Sequence, residues 1–275
     1  MLLFNRCKQL IINISFYLNR TIVESCIDTF LYRCNLFYFR GFIMRVVRLK
    51  MYQEMARFNN PSAPKGADCY PLPPFSTVNG FIHSMCQWKR YHKLDYFVTG
   101  KGIYNTKVQK EWHGGYNFNK ISDEMLKRWD VITDYADGSH TGWVSTVKYH
   151  LMLVDLYTTI YIKATDNDID DIYHALLNPP VYPSLGEYGD LCKIEAVDII
   201  ELKELDKCVT APLAMQSYIP VNKGNFAGTI YRINNKYEII KGLRRFQKVP
   251  CYLVDKGQEV VSNLFDDDKP IIFID

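Results

Sequence analysis

The chain has 275 residues, a formal net charge of +3, 48% hydrophobic residues and 23% charged residues, a balance that excludes a disordered or low-complexity protein. The charge excess is confined to the start: residues 1–43 carry Arg6, Lys8, Arg20, Arg33 and Arg40 against Glu24 and Asp28, and from Met44 onward the two signs balance. A basic field over the whole protein is therefore excluded, so any polyanion contact has to come from a local patch or from a larger assembly.

Residues 1–43 are rich in Leu, Ile, Phe, Tyr and Cys and are charged every few positions. Their longest uncharged run, Gln9 to Asn19, is shorter than the ~20 apolar residues of a membrane-crossing helix. No small-residue cleavage site follows a single apolar core, so a signal peptide fits poorly. The segment reads as an extension outside the core, with a targeting or partner-binding helix as the alternative.

Arg45 to Tyr52 alternates, with Val47, Leu49 and Met51 on one side and Arg48, Lys50 and Tyr52 on the other, which predicts a strand. Cations beside an aromatic on an exposed sheet face suit RNA, since bases stack on rings and phosphates pair with cations. A solvated strand face explains the same pattern. Arg57, Asn59, Asn60, Lys65 and Gly66 then form a polar loop.

The prolines of Tyr70-Pro71-Leu72-Pro73-Pro74-Phe75 hold the chain extended. Ser76 stands where an N-cap is expected, ahead of a helix reaching about Tyr91 whose apolar face is Val78, Phe81, Ile82, Met85 and Cys86. Ser76 and Thr77 would place free amides and the positive end of a helix dipole where a phosphate could bind. An ordinary capped core helix is the alternative. Gly80 inside that helix suggests a close approach to the backbone.

Leu94 to Tyr104 is a second strand, bent or bulged at Gly100 and Gly102, and His150 to Lys163 is a third. Residues 105–145 between them far exceed the ~4–6 residues of an ordinary connection. They hold Trp112, Trp129 and Trp143 together with Lys107 and Lys110, but acids slightly outnumber cations. A second helix is expected over Asp168 to Leu177, capped by Asp166 or Asn167 and closed by Pro179-Pro180, and a fourth strand over Lys193 to Leu202.

Strand, helix, strand, strand, helix, strand is the order of a ferredoxin-like α+β domain, shared by the common RNA-recognition (RRM-like) sheet. That domain is expected over 44–202, with 105–145 as an insertion. From Lys203 the pattern changes to short strands, Tyr218–Val221, Gly228–Ile233, Tyr237–Ile240, Phe246–Val254 and Ile271–Phe273, giving a small β appendage over 203–275. Asn234-Asn235 signals a hairpin turn, and Asp266-Asp267-Asp268 a solvated one. Lys241-Gly242-Leu243-Arg244-Arg245 with Lys248 is the densest basic cluster.

The run Tyr70–His83, with Arg45–Tyr52 ahead of it, resembles the CRISPR-associated Cas-five family, most specifically over Pro-Leu-Pro-Pro-Phe-Ser-Thr-Val; the resemblance extends from about Met44 to about Leu202. It implies a subunit, of the RAMP type, that caps the 5′ handle of crRNA in type I Cascade complexes of antiviral defence. The implied partners are that handle, the Cascade backbone subunit, the large subunit and the separate repeat-cleaving nuclease. The resemblance also implies a start near Met44 and gives 105–145 the role of a thumb touching guide RNA. The Leu185-Gly186 turn matches a family element, but Glu187 stands where Arg is common, and a carboxylate there opposes phosphate. A tight turn explains the same loop.

One branch of the family cuts repeat RNA without metal, using Tyr, Lys and His. Lys148-Tyr149-His150 offers those types, although on a strand Lys148 and His150 share a face that Tyr149 does not; His83 is a second candidate. The Pro-rich stretch is nearer the non-cutting members. The expectation is therefore no catalytic residue, with RNA held by Arg48, Lys50, Tyr52, Ser76, Thr77, Lys107 and Lys110, and a metal-independent endoribonuclease using His150, Lys148 or His83 as the alternative. The eight cysteines include no Cys-x-x-Cys, which fits a reducing cytoplasm rather than a metal site or disulfide framework. No P-loop or other cofactor motif occurs, so no cofactor and no membrane partner are expected.

Overall fold

The computed structural model describes residues 44–61, 68–119 and 122–274; the readings made on 1–43, Lys65 and Gly66 lie outside them. The architecture is α+β, a mostly antiparallel sheet carrying two main helices. β1 (Met44–Ala56) lies between β5 (Lys193–Pro212) and β4 (His140–Lys163), and β4 also pairs with β2 (Asp95–Phe118). The central order is β5-β1-β4-β2, with every neighbouring pair antiparallel. Helix α1 (Phe75–Met85) connects β1 to β2, the six-residue α2 (Asp123–Arg128) lies between β2 and β3 (Val131–Asp134), and α3 (Asp166–Leu177) connects β4 to β5.

Alternation decides which side the helices cover. Val47, Leu49 and Met51 join Phe75, Val78, Ile82, Ile160, Ile162, Ile169 and Ile172 in the main core, all essentially inaccessible. At ~25 cal/mol per Å2 of apolar surface, burial of these aliphatics fixes the strand's facing, because a one-residue slip would expose all of them.

The opposite side of the sheet carries a second, smaller core. Val46, Phe97 and Tyr161 meet Leu213, Ile219, Val254, Val260 and the terminal Ile271-Ile272-Phe273 there. The residues after 203 reach it by extending the sheet at both edges. β6 (Gln216–Pro220), β8 (Leu243–Val254) and β7 (Ile230–Ile240) continue beyond β2, while β9 (Glu259–Asp266) and β10 (Lys269–Ile271) continue beyond β5.

Several local expectations are corrected. α1 begins at Phe75, with Pro74 at the cap position and no side-chain cap, so Ser76 sits inside the first turn. The Pro74 carbonyl accepts the Thr77 and Val78 amides at 2.9 and 3.0 Å. α3 is capped by Thr165, whose side chain accepts from the Asp168 amide, rather than by Asp166 or Asn167. Asn234 and Asn235 lie within β7, where the register shifts; the hairpin turns instead at Lys241-Gly242, both with positive φ. Two successive residues of positive φ match the right-handed twist of flanking strands, and glycine adopts the second without strain. Gly80 is exposed and a Cβ there would meet nothing within 4 Å, so among the described residues no group makes the expected approach.

The Pro-rich entry to α1 is instead pressed onto Gly100. A Cβ at Gly100 would lie 2.9 Å from Leu72 and 2.7 Å from the Tyr157 carbonyl. Fully buried Tyr218 completes the clasp: its hydroxyl donates to the Leu72 carbonyl at 2.9 Å and accepts the Leu72 amide at 3.2 Å. Both polar groups of an extended, buried residue are thus satisfied from β6.

Candidate nucleic-acid interface

On the sheet side away from α1 and α3, Arg48, Lys50 and Tyr52 stand opposite Tyr161, Thr159 and Tyr157 of β4. Thr159 and Tyr157 in turn face Thr99 and Lys101 of β2. Directly opposed residues project to the same side, so three strands build one surface.

Its two ends differ. At one end Arg48 bonds Asp198 and Asp266, each at 2.9 Å, and the Tyr161 hydroxyl donates to the same Asp266 oxygen at 2.8 Å. Burial opposes the Arg48 charge, but the bonds to the two carboxylates outweigh it and raise its pKa. Asp266 is buried, which corrects its assignment to a solvated turn; the turn itself falls at Asp267 and Asp268.

At the other end Tyr157 is 50% exposed and its ring centroid lies 4.9 Å from that of Tyr52. The Tyr52 hydroxyl donates to Asp155 at 2.9 Å, and that bond raises the phenol's pKa. Lys50 is half-buried and Lys101 exposed beside this aromatic pair. Two rings flanked by two ammonium groups offer stacking faces and phosphate partners within one patch. Tyr157 and Lys101 were not singled out from sequence. The alternation Asp155, Tyr157, Thr159, Tyr161 was the available signal, but only strand register places it beside Lys50 and Tyr52.

The remaining residues fall elsewhere. Ser76 and Thr77 are half-buried in α1, on the far side of the sheet from Lys50 and Tyr52. Lys107 is exposed on the long ribbon formed by β2 and β4, opposite buried His150. Lys110 lies opposite Val147 on the same ribbon. Residues 105–118 and 140–145 are thus continuous with the two strands that the segment was expected to separate.

His83 is fixed as a structural imidazole. Its Nδ1 lies 2.9 Å from the Asn79 carbonyl and must donate there, while Nε2 accepts the His92 amide at 3.1 Å. Burial lowers its pKa below the usual value despite the carbonyl bond. With both ring nitrogens engaged, neutral His83 is poorly placed to move a proton. His150 and Lys148 are carried by β4, two positions apart, on the same side of that strand.

The Gly186 turn is filled from within. Asp190 accepts the Arg57 and Glu187 amides, both at 2.8 Å, and the Arg57 guanidinium pairs with Glu187 at 2.9 Å. Gly186, at φ +126°, brings the chain so close that a Cβ would lie 2.5 Å from the Asp190 carboxylate. A carboxylate already occupies the amides that an anion would use, and the loop is a tight turn. Among the described residues no group of three or more His, Cys, Asp or Glu could hold a metal, and no helix is long and apolar enough to cross a membrane.

No protein-family model matches the chain, and no curated protein matches it. Solved structures do. A chain of a CRISPR RNA-guided surveillance complex is 18% identical, with a TM-score of 0.45 over 78% of this chain and 91% of that one. A structure described as a Cas protein is 11% identical, with a TM-score of 0.39 over 82% and 98% of the two chains. A CRISPR protein from Archaeoglobus fulgidus is 10% identical, with a TM-score of 0.37 over 79% and 91%. The solved structures that this chain is similar to thus include CRISPR proteins.

Proposed function

We propose that this chain is a non-catalytic RNA-holding subunit that caps the 5′ handle of crRNA in a Cascade-type complex, as the resemblance over Met44–Leu202 implies. In this reading 44–202 is a ferredoxin-like RNA-binding domain, 105–145 its thumb and 203–275 an attached β region. The thumb meets the backbone subunit, and the large subunit and the repeat-cleaving nuclease are further partners. The protein works in the cytoplasm, where its free thiols stay reduced.

The observation that carries the proposal is the open end of the sheet surface, where Tyr52 and Tyr157 lie 4.9 Å apart between Lys50 and Lys101. Nucleotides leaving a handle would stack on these rings while the lysines meet their phosphates. Lys107 extends that contact along the ribbon, and Lys110, on the same ribbon, adds a further RNA contact. Arg48 holds the sheet beneath the site, and Ser76 and Thr77, on the opposite side, serve a second RNA contact.

Incubating the full chain with repeat-derived RNA in EDTA tests this. The expected result is bound, uncut RNA whose retention falls about tenfold in a Tyr52→Ala variant. Specific cleavage abolished by His150→Ala would establish the endoribonuclease instead. Retention unchanged in variants of Lys50, Tyr52, Lys101 and Tyr157 would remove the sheet surface as the site.

A further inference from the structure

The β7–β8 hairpin is not used by the site just described. Between Lys236 and Lys248 it carries Lys236, Lys241, Arg244, Arg245 and Lys248 against a single acid, Glu238. This local excess stands out in a chain that is neutral from Met44 onward. Among the described residues none of Lys241, Arg244, Arg245 and Lys248 forms an ion pair, and Arg245 does not bond its cross-strand neighbour Glu238.

Register sorts the hairpin into two faces. Tyr237 opposes Phe246 and Ile239 opposes Arg244, so these four share one face, and Lys248 follows Phe246 on it by alternation. The Tyr237 and Phe246 ring centroids are 5.7 Å apart, and the Arg244 guanidinium lies 4.9 Å from the Tyr237 centroid. Arg244, Phe246 and Lys248 are all exposed. Rings interleaved with unpaired cations along one strand face form a stacking platform with phosphate partners on both sides. A protein partner matched to this charge would have to be acidic, and it would leave exposed Phe246 and half-buried Tyr237 without a specific use.

We propose that this face of the β7–β8 hairpin is a second polynucleotide contact that binds a single-stranded segment through base stacking on Phe246 and Tyr237 and phosphate pairing with Arg244 and Lys248. The contact is electrostatic and sequence-tolerant, because every base has a stacking face and neither cation is held in a base-reading geometry. It is separate from the sheet surface proposed above and does not require it.

Anisotropy of labelled 20-nucleotide RNA and DNA single strands, titrated with the full chain over a range of salt, provides the test. The double variant Arg244→Gln/Lys248→Gln is expected to weaken binding of both strands and to reduce the salt slope by about 1.4, at ~0.7 per lost phosphate contact. Phe246→Leu keeps the apolar bulk of the hairpin and is expected to weaken binding several-fold without changing that slope. Glu238→Gln removes the lone acid and is expected to strengthen binding slightly. Unaltered affinity and slope in the double variant, with thermal unfolding unchanged, would overturn the proposal, as would binding of anionic lipid vesicles in place of either strand. Variants at Lys50 and Tyr52, tested in parallel, separate the two sites: loss confined to them removes the hairpin, and loss confined to the hairpin removes the sheet surface.

Discussion

Arg48 and Lys50 stand two positions apart on one strand and point to the same side, yet their surroundings are opposite. Arg48 is clamped between Asp198 and Asp266 beneath the second core, whereas half-buried Lys50 lies at the open end of the surface beside Tyr52 and Tyr157. The difference comes from where Ile271-Ile272-Phe273 and β9 return to the sheet. A cation covered by returning chain needs carboxylates, because an unpaired buried charge costs several kcal/mol. A cation left outside can serve a ligand. The pattern of one strand therefore encodes a structural half and a binding half with no visible boundary between them.

Removing a carboxylate from the covered half is the largest perturbation. Asp266→Ala leaves Arg48 and the Tyr161 hydroxyl short of a buried acceptor and is expected to cost about 3 kcal/mol of stability in denaturant unfolding, with little direct effect on RNA contacts at the open end. An equal effect on stability from Lys50→Ala would abolish the contrast.

In the open half, Tyr52→Ala is expected to weaken RNA binding by about 1.4 kcal/mol, tenfold, as measured by anisotropy, while stability changes little. Tyr52→Phe keeps the ring, loses the bond to Asp155 and should retain most of the affinity. Lys50→Ala is a smaller change still: a uniform loss across RNA sequences and a salt slope reduced by about 0.7.

The smallest expected effect concerns His83, which the fold engages through both ring nitrogens. His83 is held neutral in the fold with its pKa lowered, so the unfolded chain binds its proton more readily. The stability gained from this is present above the ordinary histidine pKa of 6.5 and is lost as pH falls below it toward the folded value. Thermal unfolding between pH 5 and 7 should show this slope in the wild type and a shallower one in His83→Gln.

Much of the framework was legible because periodicity survives tertiary context. Val47, Leu49 and Met51 alternate as buried strand residues must, and Ile169, Ile172 and Leu176 recur at helical spacing, so β1 and α3 were found with small errors at their ends. The misplaced caps have local causes. Pro74 already has the extended backbone of a cap, which moves the start of α1 ahead of Ser76, and Thr165 caps α3 one position before the expected Asp166 or Asn167. Asn234-Asn235 misled because a turn dipeptide also tolerates the irregular backbone of a bulge, while Lys241-Gly242 carries the positive φ pair.

The site was legible only as residue types. That Arg48, Lys50 and Tyr52 share a face follows from a two-residue repeat, a local property of the backbone. That Asp266, 218 positions away, neutralises the first of them and Tyr157 flanks the last does not, because partners so distant are chosen by strand register and by the path of the returning chain. Alternation and helical spacing were written in consecutive residues, where each depends on near neighbours. The division of one strand face into a covered and an open end was made by packing, which brings together groups that no local pattern relates.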